Sequence, residues 1–249
     1  MKIFLFLLVL AAVTSLPLIN KYLSAGGSAV FTKEDIESIV SRYVSNNPQQ
    51  ILDSVNNLRV QQEEKRIAEL DRATSANLAA LENDDNSPFL GSRDSDIKIV
   101  EFFDYSCGHC KRAIDSKIEL IKKHPDIKYI FKEVPIFGAS STLAARGALA
   151  AHLLDKDKYL DFHSALMRHK VEVTEEVLMK IARSLDLDLE RYKSILNDGS
   201  ADVIIQDNLD LADLLRINAT PTIIVNGKYF NAPFQLEFIE RRIDEIRKN

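Results

Sequence analysis

The sequence predicts an α/β domain, interrupted by a long helical segment and preceded by a helical arm. Three stretches carry that expectation. Val100 to Ser106 (VEFFDYS) reads as the end of a buried strand, with a helix from Lys111 to Lys123 and a second strand, Ile127 to Lys132 (IKYIFK), behind it. Strand, helix and strand joined by short connections form a right-handed parallel unit. From Ser140 to about Asn218 every signal is helical. Thr222 to Val225 returns to strand, and Asn226-Gly227 marks a hairpin turn. Lys228 to Phe230 pairs back, and Leu236 to Arg247 closes the chain as a helix.

Composition excludes more than it selects. With 46% apolar and 28% charged residues the chain is an ordinary globular protein. Its 32 basic and 37 acidic side chains give a net charge of −5, which is no footprint for nucleic acid.

Met1-Lys2 precedes Ile3 to Val13, a run without a polar side chain. A basic start and an apolar run of this length fit a secretory signal over residues 1–25. Extended through Leu23, the same run reads as a retained anchor of about 20 residues. Either reading exports the rest of the chain.

Residues 26–85 read as a helical arm. Thr32 suits an N-cap with Asp35 three residues on, and Ile36, Ile39, Val40, Tyr43 and Val44 fall on one face. Asn46-Asn47-Pro48 breaks that helix. A second runs from about Gln49 to Leu81 with Ile51, Leu52, Val55 and Leu58 as its stripe. Such a stretch cannot form a core alone. It is expected to oligomerise, as a homodimer, or else to pack back on its own domain. Residues 86–96, polar with Pro and Gly, are expected to be a linker. The main domain is expected over 97–249, with the helical insertion at about 140–218.

Cys107 and Cys110 are the only cysteines, and Gly108-His109 stands between them. A disulfide across a two-residue spacer constrains the unfolded chain very little, so the pair is useless as a staple. Between a strand and a helix it is suited to making and breaking a disulfide. Cys107, at the helix N-terminus, faces free backbone N–H groups and the positive end of the helix dipole, which favour its thiolate. Cys110, one turn later, is placed to resolve a mixed disulfide. His109 can add positive charge beside the thiolate.

Zinc would need two further ligands, and His124, His152, His163 and His169 are scattered over predicted helices. Haem attachment would need histidine at position 111, where Lys111 stands. No metal and no cofactor are expected beyond the Cys107–Cys110 disulfide itself. Glu101, on the face of Ile97, Ile99 and Phe103, is a carboxylate in an apolar strand, placed to exchange a proton with Cys110.

FFDYSCGHCK, FKEVPIFG at 131–138, the helical insertion and ATPT at 219–222 together resemble the DsbA-like thiol:disulfide oxidoreductases. Within them the chain is most similar to the Com1-like group, the "27 kDa outer membrane protein" type, which carries a similar arm. The resemblance implies a thioredoxin fold with an inserted helical domain and an N-terminal helical arm. It implies Cys107 as nucleophile, Cys110 as resolving thiol and Pro221 as a cis proline. Thr220 then sets its backbone against the active sulfur, where a substrate strand can pair.

The resemblance also implies disulfide formation or isomerisation on exported proteins in the periplasm or cell envelope, served by a membrane redox partner of DsbB or DsbD type. Gly108-His109 and Thr220 resemble the isomerases more than the founding oxidase. A dedicated envelope reductase and an envelope binding or holdase protein with secondary redox activity are the competing readings.

Overall fold

The computed structural model describes residues 32–230 and 234–248; the signal or anchor expected at 1–25 lies outside them. Among the described residues no helix is long and apolar enough to cross a membrane. Two compact units divide between Gln61 and Gln62.

In the first unit, α1 (Lys33–Asn46) begins at a full capping box, with Thr32 and Asp35 bonding each other's backbone N–H. No residue of α1 is buried. Ile36, Ile39, Val40, Tyr43 and Val44 are exposed along one side, and Leu52, Val55 and Leu58 are exposed on the first half of α2 (Pro48–Ala76).

The second unit is built on one sheet. β1 (Phe89–Gly91), β2 (Lys98–Phe103), β3 (Lys128–Glu133), β4 (Thr222–Val225) and β5 (Lys228–Phe230) lie in the order β1-β3-β2-β4-β5. β2 and β3 are parallel, and every other pair is antiparallel. The central strand β2 is covered on both faces. Ile99 and Phe103 pack with Tyr129, Phe131 and the inserted helices on one side. Val100 and Phe102 pack with Ile130, Ile224, Leu70 and Leu81 on the other. A strand buried on both faces reads as a continuous apolar run, which KIVEFF is apart from Glu101.

This core corrects two boundaries. The arm expected over 26–85 does not stay apart from the main domain throughout, because residues 62–82 belong to the second unit. Leu70 of α2 and Leu81 of α3 (Leu78–Glu82) join the core. An open sheet edge leaves backbone groups without partners, and α2 supplies them: Asp71 Oδ1 accepts from Tyr229 N–H at 2.8 Å, and Thr74 Oγ1 donates to Gly227 O at 2.5 Å.

The linker expected over 86–96 contains β1, which pairs with β3. Gly91 ends that strand at φ +85°, where a Cβ would fall 1.9 Å from Ile127 O, so only glycine fits. Three residues are too short a strand to show alternation in the sequence.

The helix expected from Lys111 to Lys123 starts earlier and is split into α4 (Gly108–Arg112) and α5 (Ile114–Lys123). The insertion is five α-helices, α6 (Ala139–Leu154), α7 (Tyr159–Arg168), α8 (Glu175–Ser184), α9 (Leu189–Asn197) and α10 (Ser200–Leu214), with a 3-10 turn at Lys156–Lys158. Small residues of α6 let its neighbours approach: a Cβ at Gly147 would meet Leu178 at 2.5 Å, and Tyr192 donates to Gly147 O at 3.0 Å. The closing helix α11 (Leu236–Arg247) buries Ile239 and Ile243 in the same core. The thioredoxin fold with an inserted helical domain is therefore present.

Candidate redox site

Asp104, directly after β2, shapes the loop that presents the cysteines. Its buried carboxylate accepts from Ser106 N–H at 2.6 Å, Ser141 Oγ at 2.6 Å and Phe137 N–H at 3.1 Å. Its carbonyl accepts from Cys107 N–H at 3.1 Å. The loop is thereby tied to α6 and to the segment after β3. The sequence signal for this turn is an Asp two residues before a serine at a strand end, the mark of an Asx turn.

Cys107 is the N-cap of α4, and both cysteines are free thiols. Cys107 keeps 5% of its surface and Cys110 none, so only the first is open to attack. The Thr220–Pro221 bond is cis, and the Cys107 thiol donates to Thr220 O at 3.1 Å. Residues 107 and 220 thus meet across 113 positions of sequence.

The electrostatics separate the two sulfurs. The Cys110 thiol donates to the Cys107 sulfur, and backbone N–H groups of Cys110 and His109 add to it, bringing Cys107 down to about 5 against the cost of burial. Burial pushes the Cys110 thiol far up, and its bond to Cys107 pushes the same way. One sulfur is a ready nucleophile at neutral pH while the other keeps its proton.

Glu101 is fully buried on β2, but it does not stand alone. Lys117 Nζ lies 2.6 Å from its Oε1, with 1% and 0% of the two side chains exposed, and the Tyr129 hydroxyl donates to Oε2 at 2.8 Å. Both charges reach Cys110, Glu101 raising its pKa and Lys117 lowering it. The lone carboxylate read from the strand is thus one half of a buried ion pair.

The sequence signal for Lys117 is a lysine in an apolar stripe, since Ile114, Lys117, Ile118 and Ile121 share one helical face. Lys117→Met should cost about 3–5 kcal/mol in urea unfolding, because it strands the carboxylate. Adding Glu101→Gln should return most of that loss. A loss below about 1 kcal/mol for the single variant would mean Glu101 finds another partner.

Gly108 and His109 are exposed on α4. A guanidinium can only donate, so Arg112, 3.0 Å from His109 Nδ1, makes that nitrogen the acceptor. Arg112 thereby sets a guanidinium beside the motif. Arg112 also folds over Gly108, where a Cβ would meet its guanidinium at 3.3 Å. Among the described residues no group of three or more His, Cys, Asp or Glu side chains could hold a metal ion.

The thioredoxin family model matches residues 82–245, about two thirds of the chain. Disulfide bond formation protein D of Bacillus subtilis is 31% identical over 171 residues, which cover 65% of this chain and 77% of that protein. The chain is a DsbA-like member of the thioredoxin family. Among solved structures, this DsbA-like chain is similar to the thiol-disulfide exchange protein alpha-DsbA2 from Wolbachia pipientis, at a TM-score of 0.69 and 32% identity. That match covers 73% of this chain and 98% of the other.

A Na(+)/H(+) antiporter NhaA 3 from Salinispora tropica is 28% identical over 161 residues, 64% of this chain. The DsbA-like chain spans about a quarter of that antiporter's length, since the match covers 24% of it.

Proposed function

We propose that the chain is a thiol–disulfide oxidoreductase acting on the cysteines of exported proteins in the periplasm or cell envelope. The observation that carries this is the unequal pair: Cys107 is lowered to about 5 beside the Thr220 carbonyl, while Cys110 is buried and protonated. In the reducing direction, the Cys107 thiolate attacks a substrate disulfide, forming a mixed disulfide and expelling one substrate thiolate. Cys110 then gives up its proton and attacks Cys107 Sγ, which closes the Cys107–Cys110 disulfide and releases the second substrate thiolate. Run backwards, the same steps oxidise a substrate dithiol.

Thr220 and Pro221 present the backbone against which an extended substrate segment lies as an added strand. A membrane partner of DsbB or DsbD type resets the pair. Reduction of insulin, with refolding of both a reduced and a scrambled disulfide protein, tests the reading and separates oxidation from isomerisation. Failure in all three assays sinks it.

The arm adds a second element. Ile39, Val40, Tyr43, Leu52 and Leu58 are each half or more exposed, an apolar stripe that water disfavours. A second copy of the chain covers it in a homodimer. Because residues 62–82 belong to the core, the informative deletion is 26–61. It should halve the mass seen by light scattering and preserve insulin reduction, while lowering refolding of the scrambled protein. An unchanged mass rejects the dimer.

A further inference from the structure

One cleft beside the cysteine motif runs against the charge of the whole chain. It is lined by Lys111 and Arg112 of α4, Asp115 of α5, and Arg168, His169 and Lys170 at the end of α7. Counting the histidine neutral, four cations face one carboxylate, in a chain whose net charge is −5. Lys111 and Arg112 directly follow Cys110, and Arg112 lies over Gly108, the residue next to Cys107.

The wall is held in place. Lys111 Nζ donates to His169 O at 2.5 Å, which fastens α4 to the end of α7. Arg112 is folded over Gly108 and donates to His109 Nδ1 at 3.0 Å. A side chain at position 108 would crowd that guanidinium, so the glycine of the motif and the arginine over it belong together. Two cations remain available. Arg168 meets Asp115 at 2.6 Å, but with 51% and 81% of the side chains exposed this bond is worth little and is readily exchanged. Lys170 is exposed and makes no ion pair among the described residues.

We propose that this cleft receives an acidic segment of the partner polypeptide, so that cysteines flanked by Asp or Glu are preferred in exchange at Cys107. This rests on the redox reading of the pair. Carboxylates near the partner's cysteine would pair with Arg168 and Lys170, and steer encounter through a cationic mouth. The Thr220 backbone beside Cys107 is uncharged and would not discriminate in that way.

The test uses three peptides, each with one cysteine blocked as a mixed disulfide with mercaptoethanol and flanked by Asp/Glu, by Ser or by Lys. The reduced full chain attacks, Cys107 releasing mercaptoethanol or the peptide, and acid quench with mass spectrometry reads the rate. Dividing each rate by that of the same peptide with dithiothreitol removes intrinsic reactivity. The acidic peptide should react about tenfold faster than the basic one at low salt, and the gap should close near 1 M salt.

Arg168→Glu combined with Lys170→Glu should invert the order. Equal rates at low salt, a preference that survives high salt, or an unchanged order in the double variant would each overturn the proposal. Binding to phosphatidylglycerol vesicles with no peptide preference would also overturn it, giving the cleft to a membrane surface. A chain that is itself inert with every peptide and with oxidised dithiothreitol would instead remove the redox reading.

Discussion

Replacing Cys107 by alanine is expected to abolish insulin reduction and the refolding of a scrambled protein while leaving the fold intact. Alanine fits where Cys107 sits, because the loop is shaped by Asp104 and not by the sulfur. No other group can take over. Cys110 is without exposed surface, and burial holds its thiol in the protonated form, which is not the nucleophile.

With Cys107 at about 5, thiolate exceeds thiol roughly a hundredfold at pH 7, against a few per cent thiolate for an ordinary cysteine. The loss should therefore be essentially complete rather than partial. Cys110→Ala should behave differently: the first attack proceeds, resolution fails, and the mixed disulfide accumulates as a covalent adduct visible on a non-reducing gel. Full activity in Cys107→Ala, or no adduct with Cys110→Ala, contradicts the assignment of roles.

The reduced protein is expected to gain stability over the oxidised one as pH rises from about 5 to about 8. Folding depresses the Cys107 pKa to about 5 from an ordinary value near 8.5. Between those values the unfolded chain holds a proton that the folded chain lacks, so stability rises with pH by about 1.4 kcal/mol per unit. That contribution is lost as pH falls through about 5. Cys110 acts oppositely but later: its raised pKa costs stability only once the unfolded thiol ionises, above about 8.5.

A third buried group also titrates. Burial raises Glu133 to about 7 although the Tyr159 hydroxyl donates to it at 2.6 Å. It is present in both redox forms, so it cancels in their difference. Urea unfolding of the reduced and disulfide forms at pH 5, 6, 7 and 8 reads the effect. A difference that stays flat across that range would mean the Cys107 thiolate is not stabilised by the fold. A difference that grows also makes the disulfide more oxidising, since stabilising the thiolate stabilises the reduced protein.

Local chemistry was legible in the sequence because it depends on neighbours in the chain. The two-residue spacing of Cys107 and Cys110, the strand before them and the Asn226-Gly227 hairpin all depend on contacts within a few residues. The Thr32–Asp35 capping box formed for the same reason. Even Glu101 was placed on the right face, since alternation along one strand is a local property.

What failed to show was whatever needed a second segment. Lys117 acquires its meaning only where β2 lays Glu101 against it. The second half of α2 reads as part of the arm in the sequence, and only the fold sets Asp71 and Thr74 against Tyr229 and Gly227.

The sequence by itself determined that two cysteines stand between a strand and a helix, where one is favoured as thiolate. Only the tertiary structure decided how unequal they are. The sheet and inserted helices seal Cys110 from water, which holds its thiol protonated and donating to the Cys107 sulfur. Burial and long-range hydrogen bonds act through space, so no spacing along the chain reports them.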